Sequence, residues 1–169
     1  MPENNTLEAH FTAVGKIAAH WALLETLIDM TLWEITSFKD ELGACLTAQL
    51  MGLGPRLNAL GAAVSYFDLS KKLREDLEAF GKKTMGAGEQ RNRAVHDPWL
   101  LDKETGEQKK IRITAKKALT FKTVTVSIDE LHRIDEIIVS LVNEFWVLQE
   151  RIIWEWLALP REKRGEPPP

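Results

Sequence analysis

The sequence of 169 residues has one cysteine, Cys45, so an intrachain disulfide is excluded. No apolar run approaches the roughly 18 residues of a membrane-spanning helix. The first residues lack the basic and apolar regions of a secretory signal. A phosphate-binding glycine loop, a serine nucleophile motif and a metal-ligand spacing among the four histidines are also absent. These absences predict a cytoplasmic protein without membrane segment, metal or cofactor.

The charge of the chain is unevenly distributed, although the net value is only −3. Between Lys82 and Lys122 there are eleven basic and five acidic residues, whereas the remainder of the chain has a net charge of −9. A basic band on an acidic body can attract a polyanion. The alternative is a solvated, charge-rich hairpin that binds nothing, and charge alone favours this alternative.

Apolar residues recur at three- and four-residue steps over most of the chain, which predicts helices. Asp40 is expected to cap the second helix, Pro55 to begin the third and Ser70 to cap the fourth. Alternating residues of 99–126 predict strands, and Ser127 with Glu130 forms a capping box. The expected helices cover 6–37, 40–51, 55–66, 70–97 with an interruption at 86–88, and the segment after 127.

Two long and two or three shorter helices predict a mainly all-α fold, an antiparallel bundle of four to five helices. A small β-hairpin at about 99–126 is inserted before the last helix. The expected organisation is a single domain over 1–159 and a disordered tail over 160–169. Tryptophans at helical spacing are expected in the core or in a dimer interface. Apolar residues of 152–157 cover more than one helix face, which indicates a partner surface.

The segment Arg91-Asn92-Arg93-Ala94-Val95-His96 is the main candidate for a functional site. Arginine presents a fixed fork of donors to phosphate, histidine can transfer a proton near neutral pH, and asparagine can donate and accept. On a helical wheel Arg91 falls on the apolar stripe of the fourth helix, which is formed by Leu73, Leu77 and Phe80. An arginine there needs a partner. The alternative is an arginine and a histidine that only cap or bridge helices.

Five further residues belong to the expected site. Glu25 fills an apolar-stripe position on the first helix, and we expect it to support Arg91 or His96 as a partner. Arg93, Lys82 and Lys83 are expected to contact RNA phosphates from outside the motif. Trp99, three residues past His96, is a candidate for stacking on a base.

The pattern Arg91-Asn92-(three residues)-His96, late in a bundle helix, resembles the motif of the HEPN superfamily. The segment 11–25 is also similar to the first helix of bacterial members. The resemblance implies a metal-independent endoribonuclease, of the kind found in toxin–antitoxin, anti-phage and CRISPR systems, that dimerises so that two motifs form one cleft. His96 would act as general base or acid, Arg91 would stabilise the transition state, and Asn92 would orient either the histidine or the phosphate.

Two alternatives to a ribonuclease remain open at the level of the sequence. The first is a catalytically inactive HEPN-like module that binds RNA, a nucleotide or a protein, partnered by a nucleotidyltransferase or an antitoxin. The second is a purely structural helical interaction protein. RNA cleavage separates the enzyme from both alternatives.

Overall fold

A computed structural model of the chain describes residues 3–102, 108–114 and 120–164. Within these residues the chain forms five α-helices and three β-strands, which confirms the predicted mainly-α helical bundle with a small sheet before the last helix. The elements are α1 (Glu3–Thr36), α2 (Asp40–Thr47), α3 (Leu53–Tyr66), α4 (Lys71–His96), β1 (Trp99–Leu101), β2 (Gln108–Thr114), β3 (Thr120–Thr125) and α5 (Ile128–Leu157). None of these helices has the length and apolarity that a bilayer span requires.

The described residues form two compact units, and α1, α4 and α5 contribute residues to both. The first unit takes residues up to 21 together with 87–139. Its buried apolar side chains include Ala13, Ile17, Trp21, Ala94, Val126, Leu131, Ile134 and Ile138. The second unit takes residues 22–86 and the chain from 140 onward. In its core the rings of Phe80 and Phe145 lie with their centroids 5.4 Å apart.

The sheet of the first unit is an antiparallel meander in the order β1-β2-β3, so it has one strand more than the predicted hairpin. Trp99 pairs with Lys110, and Ile113 pairs with Phe121. Because neighbouring side chains of a strand point to opposite faces, Trp99 and Lys110 share one face. Leu100, Ile113 and Phe121 share the other, which is exposed. The pair Thr105-Gly106, for which the sequence predicts a turn, lies outside the described residues.

The starts of α4 and α5 follow the sequence prediction. The hydroxyl oxygen of Ser70 accepts a hydrogen bond from the backbone N–H of Leu73 at 3.3 Å, and that of Ser127 accepts one from Glu130 at 3.1 Å. Each serine thereby satisfies a backbone donor of the first helical turn, which has no partner within the helix. The carboxylate of Glu155 also accepts hydrogen bonds from the backbone N–H and from the hydroxyl of Ser70, each at 2.8 Å.

The boundaries of the two short helices differ from the prediction. Lys39, which is extended, occupies the N-cap position of α2, and Asp40 is the first helical residue. A carboxylate in a first helical turn is still favourable, because it faces the positive end of the helix dipole. The helix ends at Thr47 rather than at 50 or 51. Helix α3 begins at Leu53, so Pro55 lies within its first turn, where the missing N–H is harmless.

Helix α4 is continuous, so the interruption predicted at 86–88 was wrong. A glycine in a helix is unfavourable by only about 1 kcal/mol relative to alanine, which the packing of a 26-residue helix can offset. The three- and four-residue spacing in α1 predicts a buried face that includes Phe11, Val14 and Ala18, and this prediction was slightly wrong. Phe11 is 57% exposed, whereas Ala13 and Ile17 are buried. The true apolar face is therefore rotated from the predicted one.

The chain after α5 continues into a 3-10 turn over Arg161–Arg164, at the start of the segment for which the sequence predicts a disordered tail. The guanidinium carbon of Arg164 lies 5.2 Å from the ring centroid of Trp156, and such stacking on a buried indole favours an ordered turn. Residues 165–169 lie outside the described part of the chain.

Candidate active site

The motif occupies the last two turns of α4. The side chains of Arg91, Asn92 and His96 meet at one nitrogen atom. Arg91 Nη1 donates one hydrogen bond to Asn92 Oδ1 at 3.0 Å and another to His96 Nε2 at 3.1 Å. Arg91 is half-buried, while Asn92 and His96 are exposed. The structure therefore brings together the three residues that the sequence selected as catalytic candidates.

The contact between Arg91 and His96 is consistent with one assignment of donor and acceptor. A guanidinium can only donate, so the contact is a hydrogen bond when His96 Nε2 accepts, which assigns the ring proton to Nδ1. A protonated His96 has no acceptor left and would lose this contact. The pair thus holds an unprotonated ring nitrogen beside a fixed positive charge, at the protein surface.

The charge of Arg91 is not neutralised by a carboxylate within the described residues, because none of the ion pairs found there includes it. Its Nε is buried and has no hydrogen-bond partner among the described atoms. The guanidinium carbon instead lies 6.0 Å from the ring centroid of Trp21. An arginine supported by an aromatic face keeps donors and charge available for an anion.

The indole of Trp21, which supports Arg91, packs closely against Gly88. A Cβ atom at residue 88 would lie 3.1 Å from Cη2 of Trp21 and 3.4 Å from its Cζ2. Trp21 is only 5% exposed. Glycine at position 88 therefore provides the space that the indole below Arg91 occupies.

The inner face of the sheet covers the carboxyl end of α4. Lys110, only 6% exposed, donates from Nζ to the backbone oxygen of Arg93 at 3.1 Å, and the same nitrogen lies 4.3 Å from the ring centroid of Trp99. The indole N–H of Trp99 donates to the backbone oxygen of Ala94, also at 3.1 Å. The buried ring of His10 meets Trp99 edge-on, with the centroids 5.7 Å apart.

Sequence reasoning missed Lys110. Lys110 lies buried at the end of α4 because the pairing of β2 with β1 places it opposite Trp99. The alternation of residues in β2 could have assigned it to one face of a strand, but it carries no information about which helix that face covers. Trp99, expected to stack on a base, is half-buried and has Lys110 and His10 against its ring.

Both lysines expected to contact RNA are exposed and have an acidic partner. Lys82 Nζ lies 2.7 Å from Glu78 Oε1, and Lys83 Nζ lies 2.6 Å from Glu144 Oε1. Lys83 also lines an open groove of about 320 Å³ between α4 and α5, together with Asp76, Ala79, Glu144, Val147, Leu148 and Arg151. The charges at this groove are largely paired, since Arg151 Nη1 lies 2.8 Å from Asp76 Oδ2.

The remaining candidates are Arg93 and Glu25. The side chain of Arg93 is exposed. Glu25 is half-buried and belongs to the second compact unit, whereas Arg91 belongs to the first. The expected support of Arg91 or His96 by Glu25 stays a prediction.

Another histidine of the same unit, His20, has a carboxylate partner. His20 Nδ1 and Asp135 Oδ1 are 2.6 Å apart, with side chains that are 36% and 17% exposed. No spacing in the sequence indicates this pair, because its members are on α1 and α5. No three side chains of the types His, Cys, Asp and Glu cluster as metal ligands within the described residues.

No family model, no curated protein and no solved structure matches this chain. The chemistry of the candidate site therefore has to be argued from its own residues.

Proposed function

We propose that the protein is a metal-independent endoribonuclease of the HEPN type, acting as a toxin or as a component of anti-phage defence. One observation carries the proposal: the guanidinium of Arg91 is hydrogen-bonded to His96 and has no carboxylate partner among the described residues. A lone cation beside a neutral imidazole is suited to an anionic substrate that must lose a proton.

The reaction uses the ribose 2′-hydroxyl as nucleophile. A phosphate oxygen takes over the donor of Arg91 Nη1 that is bonded to His96, which releases the lone pair of His96 Nε2. That nitrogen accepts the 2′-hydroxyl proton while the 2′-oxygen forms a bond to phosphorus. The bond from phosphorus to the 5′-oxygen breaks, and this oxygen takes a proton from a water molecule, whose hydroxide then removes the proton from His96 and restores the neutral ring. The products are a 2′,3′-cyclic phosphate and a 5′-hydroxyl, and a substrate without the 2′-hydroxyl is not cut.

Arg91 and Asn92 have separate roles in this proposal. Arg91 stabilises the negative charge that develops on the pentacoordinate phosphorus in the transition state. Asn92, whose Oδ1 accepts from Arg91 at 3.0 Å, keeps the guanidinium oriented and can donate from its amide to a phosphate oxygen. Arg93, exposed beside them, adds a contact to a neighbouring phosphate.

The proposal includes a homodimer in which two motifs share one cleft. Supporting it, α5 exposes large apolar side chains, among them Trp146, Trp154 and Leu157. An isologous interface would bury the same patch of both copies. Analytical ultracentrifugation tests this element, and a monomer at tens of micromolar, the scale of a weak association, contradicts it.

The chemical test is cleavage of a fluorogenic RNA, with and without EDTA, by the wild type and by His96→Ala and Arg91→Ala. We expect EDTA to leave the rate unchanged. Loss of a preorganised transition-state donor lowers the rate by about a hundred- to a thousandfold, and loss of the proton-transfer group by a similar factor. His132→Ala is the matched control, because His132 is an exposed histidine of α5 outside the motif. Circular dichroism checks that each variant is folded.

Four results would overturn the proposal or part of it. Inhibition by EDTA contradicts the metal-independent mechanism, and full activity of His96→Ala removes this residue from catalysis. If the wild type cuts no RNA, the catalytically inactive binding module becomes the better interpretation. Replacement of the scissile ribose by deoxyribose has to abolish cleavage, since the proposed nucleophile is then missing.

A further inference from the structure

The carboxyl end of α4 has a feature that the proposed chemistry does not use. The last four carbonyl groups of a helix lack intrahelical partners. In α4, which ends at His96, two of these groups accept from side chains of the sheet: Arg93 O from Lys110 Nζ and Ala94 O from Trp99 Nε1, both at 3.1 Å. These carbonyl groups belong to the turn between Asn92 and His96.

The positive charge of Lys110 suits this position. The carboxyl end of a helix carries the negative end of the helix dipole, so an ammonium group there is favourable. Lys110 is almost fully buried, and its Nζ lies against the face of Trp99 and at hydrogen-bond distance from Arg93 O. A buried ammonium with such fixed partners constrains the backbone that it binds.

The hydrogen bond between Arg91 and His96 depends on this backbone. The two residues are five positions apart, and their side chains meet only if the last turn of α4 keeps its helical winding. Terminal helical turns fray readily when their carbonyl groups are unpaired. The contacts of Lys110 and Trp99 therefore restrain the turn on which His96 is carried.

We propose that Lys110 is a positioning residue of the active site, and that the inserted sheet serves to hold His96 against Arg91. Lys110 acts through the backbone of Arg93 and does not touch the substrate. Trp99 assists through Ala94 and lies against the ammonium group of Lys110. The catalytic part of this statement rests on the proposed function, whereas the positioning part concerns the geometry of His96 alone.

The test compares Lys110→Met with Lys109→Met. Methionine keeps the length of the side chain but removes the donor and the charge. Lys109 is the matched control because it is the neighbouring residue of β2 on the opposite face, where it pairs with Asp102. Trp99→Phe is a second variant, which keeps a smaller aromatic ring below Lys110 and deletes the donor to Ala94.

The first readout is NMR of the histidine ring nitrogens, with the His96 signals assigned by their absence in His96→Ala. We expect the wild type to show the Nδ1–H tautomer with a hydrogen-bonded Nε2. In Lys110→Met the signals should move to a mixture of both tautomers, and in Lys109→Met they should stay. Unchanged His96 signals in a folded Lys110→Met or Trp99→Phe variant overturn the proposal. If Lys110→Met does not fold, Trp99→Phe decides.

The second readout is RNA cleavage. We expect Lys110→Met to lower kcat by about ten- to a hundredfold, the scale of a misplaced catalytic group, with KM unchanged within about twofold. A rise in KM at constant kcat would contradict positioning, because it would place Lys110 in substrate binding. If the wild type cleaves no RNA, the proposed function fails while the NMR comparison still decides the positioning role.

Discussion

Adding one methyl group at Gly88 tests the support beneath Arg91. Gly88 lies in the interior of α4, where a Cβ would be 3.1 Å from Cη2 and 3.4 Å from Cζ2 of Trp21. Both distances are shorter than ordinary van der Waals contact between carbon atoms. Since Trp21 is buried, its indole cannot turn into solvent to make room.

The magnitude follows from two opposing effects. Alanine is favoured over glycine in a helix by about 0.5–1 kcal/mol. Overpacking a core by one methyl group is unfavourable by about 1–3 kcal/mol. The free energy of unfolding of Gly88→Ala should therefore lie between no change and a loss of about 2.5 kcal/mol.

Gly86→Ala is the matched control, because the same methyl group two positions earlier in α4 would have nothing within 4 Å. We expect this variant to be stabilised by about 0.5–1 kcal/mol. Urea unfolding followed by circular dichroism measures both variants, and the difference between them gives the energy of the close approach. Equal stabilisation of both variants would refute the packing argument. Gly88→Ala should also slow RNA cleavage, since a displaced Trp21 moves the guanidinium that rests on it.

Three further predictions concern stability and ionisation. Arg56→Met should lower the free energy of unfolding by about 3–5 kcal/mol, because it leaves the buried Asp29 without its cation. The control Arg74→Met removes an exposed cation and should change the free energy of unfolding by less than about 1 kcal/mol. Equal effects of the two variants in urea unfolding would contradict this prediction. The hydrogen bond from Lys72 holds the pKa of Asp76 below the usual aspartate value, so its contribution to stability is present above that value and is lost as the pH falls through the lowered pKa. Lys72→Met should raise this pKa in a carboxyl-detected NMR titration, and an unchanged titration curve would argue against Lys72 as the cause. Ser127→Ala should destabilise the start of α5 by about 1 kcal/mol, measured by urea unfolding.

The sequence was sufficient for the helical class, for the position of the sheet and for the start of two long helices. Amphipathic periodicity and serine caps are local signals, and Ser70 and Ser127 cap the helices as expected. Where local signals compete, the prediction failed. The glycines of 86–88 were interpreted as a break, but a long helix packed along one face tolerates them.

The sequence by itself also determined that Arg91, Asn92 and His96 are neighbours. They lie within six positions of one helix, and helical geometry alone places Asn92 and His96, which are four positions apart, on the same face.

Only the tertiary structure decided what surrounds them. Trp21 is 70 positions before Arg91, and Lys110 is 17 positions after Arg93, so neither contact follows from a local repeat. They depend on which face of α1 is buried and on the register between β1 and β2. If a helix rotated by one position, or a strand shifted by one residue, these side chains would have different partners. The local preference of the sequence for helix or strand would hardly change. The three catalytic candidates are therefore a property of the helix, whereas the support of Arg91 and His96 is a property of the fold.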